Sequence, residues 1–295
     1  MPADQRPPST GRVSGWRPGT GPSLEEALDL LTSRELDIEG RLPWSSNLTF
    51  LVTLQGTGER SAGDDGAGAG AGAGDDGAGA GAGAGDEWSG GRVPVQAVYK
   101  PHRGEQSLWD FPDGLYRREV AAYRLSEALG WGLVPPTVLR HDGPFGSGSV
   151  QLFIDADYGR HYFTLLEEGA LGDEGRGDVL QAFCAFDVVA NNADRKSGHI
   201  LVAADERLWG IDHGLCFHAQ TKLRTVIWDF AGEEVPAHLV ADLERLVSSG
   251  LPDALGELLS GSESEALLYR AARLAAEGVF PEPTGDRPPY PWPLV

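Results

Sequence analysis

Cysteine is nearly missing from this chain of 295 residues: only Cys184 and Cys216 occur, both in apolar surroundings and neither in a CxxC pair. That argues against a disulfide framework and leaves two buried free thiols, which suit a reducing compartment. Lysine is almost as scarce, with Lys100, Lys196 and Lys222 alone among arginines. Positive charge is short overall. The 24 basic residues face 44 acidic ones, for a net charge of −20 and a pI of about 4.6. Such a chain repels nucleic-acid phosphates and anionic membrane, so neither is an expected partner. No apolar run reaches the roughly 18 residues a membrane span needs. The leading MPADQRPPSTGRVSG has no apolar centre, so we expect no signal peptide and a cytoplasmic location. No lysine follows a glycine, which excludes a GxxxxGK[ST] phosphate loop.

What is present divides the chain. Residues 1–22, rich in Pro, Gly and Ser, are expected to be a disordered tail. Ser23 with Glu26 three residues on reads as a capping box opening a short amphipathic helix. Strands are expected at about 48–54 and 93–99, separated by a Gly/Ala/Asp tract at 62–86. That tract repeats with a period of eleven and carries too much glycine to hold a helix, so it reads as a flexible hairpin insertion. A helical pattern runs from Leu115 to Leu129 and Gly130 stops it. Strands at 134–139 and 149–154 are expected to pair across a turn at 141–148. An apolar helix at 178–191 and a hairpin through 200–202 and 208–211 follow. Beyond Thr225, leucine stripes predict two helices and then a Pro-rich extended end. The expected architecture is α+β and bilobal: a β-rich N-lobe over 23–155, a mainly helical C-lobe over 156–280, and a tail at 281–295.

Two acidic residues stand in polar clusters at the ends of that late hairpin: Asp194 in NNADRKSGH and Asp212 in GIDHG. Either alone fits an Asx turn. Together they are what metal-dependent phosphoryl transfer requires, one carboxylate to orient a hydroxyl and one to hold a divalent ion. Lys100 ends an apolar strand, where its stem is dry and its ammonium must meet an anion or water. Glu119, early in the next helix, is the expected partner, with Glu105 and Glu127 as competitors. Ser45, Ser46 and Asn47 precede the first strand of the Lys100 hairpin, placed either to cover phosphates or simply to cap a turn. His199 sits at the hairpin entrance, either as a metal ligand or as a hydrogen-bond partner of Asp212. His213 reads as structural. Asp187, in the apolar helix, must be paired to be tolerated, with Arg195 or Arg118 as candidates.

Four segments carry a resemblance: 97–101 (AVYKP), 118–125 (REVAAYRL) with 134–137 (VPPT), 193–201 (ADRKSGHIL) and 211–214 (IDHG). In this order and spacing the chain resembles the phosphatidylinositol 3-/4-kinase-like superfamily, above all the type II phosphatidylinositol 4-kinases and their bacterial relatives. The resemblance covers roughly 42–275. It implies a protein-kinase-like fold using ATP and Mg2+. Lys100 would contact the α- or β-phosphate, Glu119 would orient it, Asp194 would orient the acceptor and Asp212 would bind magnesium. Residues 151–155, with Gln151 and Phe153, would form the hinge reading adenine. The chain departs from the pattern where His199 replaces the usual Asn ligand, Lys196 follows Asp-Arg, and His213 follows Asp212. The leading expectation is an ATP:acceptor phosphotransferase acting on a protein, lipid or small molecule. A catalytically silent nucleotide-binding regulator is second, and a metal-dependent hydrolase using Asp194, His199, Asp212 and His213 is third.

Overall fold

A computed structural model of the chain describes residues 21–43, 45, 47–54, 94–285 and 288–295. The tail expected at 1–22, all but its last two residues, lies outside the described residues, as do the tract at 62–86 and Ser46. The first half is a five-stranded antiparallel sheet in the order β1-β2-β3-β5-β4. Its strands are β1 (Leu36–Arg41), β2 (Phe50–Leu54), β3 (Val95–Pro101), β4 (Thr137–Gly143) and β5 (Gly146–Leu152). Helix α1 (Leu24–Ser33) covers one face, and its Ser23–Glu26 capping box is formed. Helix α2 (Leu115–Leu129) connects β3 to β4. It ends where Gly130 takes φ +75°, a left-handed cap that favours glycine. At its other end the Glu105 carboxylate accepts from the backbone N–H of Gly114 and Tyr116, satisfying two of the donors a helix start leaves open.

The second half is helical. It contains α3 (Tyr162–Glu167), α4 (Glu174–Ala190), α5 (Ala237–Ser249), α6 (Asp253–Gly256) and α7 (Gly261–Glu277), with the short hairpin β6 (Ile200–Val202) and β7 (Leu208–Gly210). Helix α4 runs through its centre, with Phe183, Ala185, Phe186 and Val189 wholly buried. The fold is therefore α+β, with a β-rich first half and a mainly helical second half, in the order expected. Among the described residues, no helix is long and apolar enough to cross a membrane.

Two apolar cores meet at the hairpin. Side chains alternate across a strand. On one side Ile200, Val202 and Leu208 pack with the helices. On the other Leu201, Ala203 and Trp209 pack with β-sheet residues Val138, Val150 and Leu152. The hairpin thus fixes the loops at its ends with respect to both cores.

Several boundaries differ from expectation. β1 is an additional strand, and it makes residues 42–49 the connection between two paired strands. β4 starts at Thr137 because Pro135 and Pro136 lack the N–H that a ladder needs. β4 and β5 extend further into the hairpin, pairing Gly143 with Gly146. Helix α4 begins four residues before the expected 178.

Candidate functional site

Alternation along β3 explains where Lys100 points. Ala97 and Tyr99 enter the core with Val95, so Lys100 emerges on the other face. Its Nζ lies 2.5 Å from Glu119 Oε1 and 2.9 Å from Asp212 Oδ1. The second oxygen of Glu119 accepts from the backbone N–H of His213 at 3.0 Å. One buried carboxylate on α2 thereby clamps both the strand lysine and the loop after β7. Burial alone would depress the Lys100 pKa, but Asp212 and Glu119 outweigh it and hold the ammonium above its ordinary range. The Lys100 charge in turn holds Asp212 well below the usual carboxylate range. The competitors have other roles: Glu105 caps α2, and Glu127 lies two turns further along that helix.

Asp212 follows β7 with φ +60°, a left-handed conformation uncommon for a residue with a side chain. Its side chain is 52% exposed, in contrast to its buried neighbours. His199 Nε2 is 3.5 Å from Asp212 Oδ2, while its Nδ1 accepts from the Lys196 backbone N–H at 3.4 Å. That pattern assigns the ring proton to Nε2, facing Asp212. Of the two roles open to His199, the geometry favours holding Asp212 over offering a lone pair to a metal. Burial lowers the His199 pKa to about 4, so the ring is neutral near pH 7.

Asp194 lies in the loop between α4 and β6, and its backbone N–H donates to Asn192 Oδ1 at 3.0 Å. Lys196 Nζ is 3.3 Å from its carboxylate. Burial raises the Asp194 pKa to about 6; Lys196 opposes the rise and Asp212 adds to it. Behind these groups stands a dry network. Asp187 accepts from Arg195 Nε and Nη2, from Asn192 Nδ2 and from Thr225 Oγ1. Arg195 also donates to the Ile211 carbonyl and to His213 Nε2. Arg195 is therefore the partner that Asp187 requires, while Arg118 pairs with Glu263. His213 is wholly buried, held by Arg195 and lying edge-on to Phe186, so the four-ligand set of the hydrolase reading does not assemble.

The other expected site residues have defined tasks. Ser45 Oγ shares a hydrogen bond with Thr49 Oγ1 at 2.7 Å, and Asn47 Oδ1 accepts from the Gln106 backbone N–H at 2.9 Å. The loop is also pinned from Leu48 N–H to the Gly104 carbonyl, where a Cβ on residue 104 would strike the Leu48 side chain. It leaves β2 at Phe50, opposite Tyr99, and so borders the Lys100 end of β3. Gln151 is buried and donates to Thr137 Oγ1, and the Phe153 backbone N–H donates to the Gln96 carbonyl. Both groups are engaged within the sheet, so the Gln151 amide does not face a ligand. Asn192 and Thr225 are positioning residues that the sequence reading missed. The buried acid in an apolar helix demanded donors, but nothing local to Thr225 marks it as one.

Among the described residues no group of three or more His, Cys, Asp or Glu is placed to hold a metal ion. Magnesium commonly binds through one or two carboxylates with the remaining oxygens from phosphates and water. The half-exposed, ionised Asp212 fits that donor set.

No protein-family model matches the chain. Over 231 residues it is 41% identical to Protein Rv2133c of Mycobacterium tuberculosis (strain ATCC 25618 / H37Rv), covering 68% of this chain and 82% of that protein. The chain belongs to the Rv2133c family. This Rv2133c-family chain is also 30% identical over 138 residues to phosphatidylinositol 4-kinase gamma 2 of Arabidopsis thaliana. That match covers 38% of the chain and 24% of the plant protein. Two solved structures align over most of its length: hydra Fam20 with sugar (TM-score 0.46, 13% identity, 86% of this chain and 88% of that one) and the Helicobacter pylori proinflammatory kinase CtkA (TM-score 0.43, 10% identity, 85% and 94%).

Proposed function

We propose that this chain is an ATP-dependent phosphotransferase with its nucleotide site between a lobe ending near residue 155 and a lobe beginning near 156. The observation that carries the reading is the single ammonium of Lys100 meeting both Glu119 and Asp212. Lys100 has three donors. It is positioned to exchange its Asp212 contact for phosphate oxygens while Glu119 retains it. Asp212, ionised and half exposed, would hold magnesium; that ion, when bound with the nucleotide, supplies charge neutralisation on the phosphates. His199 would steady Asp212. Asp194 would accept the proton of the attacking hydroxyl, and its pKa of about 6 keeps it ionised yet basic near neutrality. Ser45 and Asn47 would border the phosphates. Backbone groups of the 153–155 link would meet adenine. The local likeness to a plant protein named as a phosphatidylinositol 4-kinase accords with this reading.

Release of labelled γ-phosphate from ATP tests it. Asp212→Asn should abolish turnover and retain the fold, whereas normal turnover by that variant removes Asp212 as the metal ligand. The Lys196 ammonium beside Asp194 favours a second reading, a nucleotide-binding regulator without catalysis. A thermal shift with ATP and magnesium but no product from any acceptor, water included, supports that alternative.

A further inference from the structure

A cavity of about 770 Å3 opens beside the Asp194 loop, and Lys100, Asp194 and Asp212 all lie outside its lining. Its walls come from three places: Trp109 and Phe111 between β3 and α2, His218 to Arg224 after the Asp212 loop, and Pro288 near the end of the chain. The C-terminal wall is fixed, because the Pro289 carbonyl accepts from the Thr225 backbone N–H and from Trp228 Nε1. The cationic wall is tied to the catalytic loop on both sides of Asp194. Arg224 N–H donates to the Asn192 carbonyl at 2.9 Å, and Arg195 N–H donates to the Arg224 carbonyl at 3.0 Å.

The two cations of that wall differ. Lys222 Nζ is neutralised by Asp110 at 3.0 Å. Arg224 also lines the cavity; its guanidinium has no hydrogen-bond partner among the described residues, although its charge acts on Asp110 and Asp194. In a chain of net charge −20, a guanidinium with its hydrogen-bonding capacity unspent at a cavity wall marks a place for an anion. The cavity volume lies within the usual range for small-molecule sites. Phe111 and His218 form a ring pair with centroids 5.2 Å apart, and the Trp109 indole, 97% exposed, stands at the rim. An exposed indole beside a cation suits a ligand with an apolar or planar body and an acidic group.

We propose that this cavity is the acceptor subsite, and that the acceptor is a small soluble hydroxyl compound carrying a carboxylate or phosphate group that Arg224 binds. The proposal rests on the phosphotransferase reading. Arg224 anchors the acid group, and its backbone pairing places the hydroxyl end next to Asp194. The chain's net negative charge opposes approach to an anionic bilayer, so the soluble source is preferred to a lipid headgroup.

The test uses the full chain saturated with a non-hydrolysable ATP analogue, titrated calorimetrically with inorganic phosphate at fixed ionic strength. Phosphate should bind the wild type, and Arg224→Gln should weaken it at least about tenfold, with Arg224→Lys intermediate. The Arg224 side chain makes no hydrogen bond to another described residue, so these variants should melt close to the wild type. Lys100→Met should lose the analogue and keep the phosphate. Equal phosphate binding by wild type and Arg224→Gln overturns the proposal, as does loss of phosphate in Lys100→Met, which would put the anion in the nucleotide cleft. Arg224-dependent pelleting with vesicles of phosphatidylcholine and phosphatidylinositol overturns the soluble assignment. Arg224-dependent phosphate binding in a protein that never binds the analogue leaves an anion site and overturns its acceptor role.

Discussion

Two ion pairs lie close together in this molecule and behave as opposites. Asp187 and Arg195 are both fully shielded from water, and every strong donor around them is used: Arg195, Asn192 and Thr225 converge on one carboxylate. Lys100 and Glu119 are also close, but the lysine side chain is 22% exposed and leans on an Asp212 that is half open to solvent. The first pair is saturated, so it can only set geometry. The second has an uncommitted donor and a replaceable partner, which is what a ligand needs. Proximity in the chain and opposite charge do not distinguish these two pairs; remaining capacity does.

Breaking the saturated pair should have the largest effect on stability. Asp187→Ala leaves a buried guanidinium without its counter-charge, and we expect a loss of about 3–5 kcal/mol in urea denaturation. A loss well under 1 kcal/mol would mean that the network is not what holds the Asp194 loop. Lys100→Met should cost less, about 1–3 kcal/mol, yet remove the thermal shift that ATP gives the wild type. A retained shift would move the nucleotide away from β3.

A smaller effect separates Asp194 from His199 by pH. The folded chain keeps the Asp194 proton up to about pH 6, whereas the unfolded chain loses it near 4. Across that window the folded state binds more protons, so this group's contribution to stability falls as pH rises. His199, depressed to about 4, acts in reverse: the unfolded chain binds the extra proton up to about 6.5, and stability rises with pH. Asp194→Asn removes only the first contribution. The variant should therefore gain about 1–2 kcal/mol over wild type above pH 6, shrinking toward zero at pH 4. A constant difference across pH would show that Asp194 is not buried as described. The smallest expected effect is remote from both pairs. Ser23→Ala, which removes the α1 cap, should cost about 0.5–1 kcal/mol and leave the ATP shift unchanged.

Much of this contrast is legible in the sequence. Helix α2 runs over Leu115–Leu129 as its pattern requires, because Gly130 is a strong stop and the apolar stripe is continuous. Lys100 and Glu119 could be paired in advance, since a strand lysine with a glutamate early in the following helix is a recurring kinase-like arrangement. That Asp187 needed a donor was readable from its apolar helix, but the choice between Arg195 and Arg118 depended on packing. Strand β1 was hidden because four of its six residues are exposed, three of them charged, leaving no alternating core signal. Thr225 was hidden for a different reason: it reaches Asp187 across 38 residues of chain, and nothing in its own neighbourhood announces the contact. The roles of Gln151 and Asn47 were hidden likewise, since a polar side chain at a strand end reads the same whether it faces a ligand or a neighbouring loop.

The most direct test of the central claim is a crystal structure of the full chain with magnesium and a non-hydrolysable ATP analogue. We predict the triphosphate between Lys100 and Asp212, with the Lys100 ammonium moved from Asp212 to phosphate oxygens, the metal on Asp212, and Asp194 facing the terminal phosphate. A nucleotide bound elsewhere, or a Lys100–Asp212 contact unchanged at saturating analogue, would contradict it.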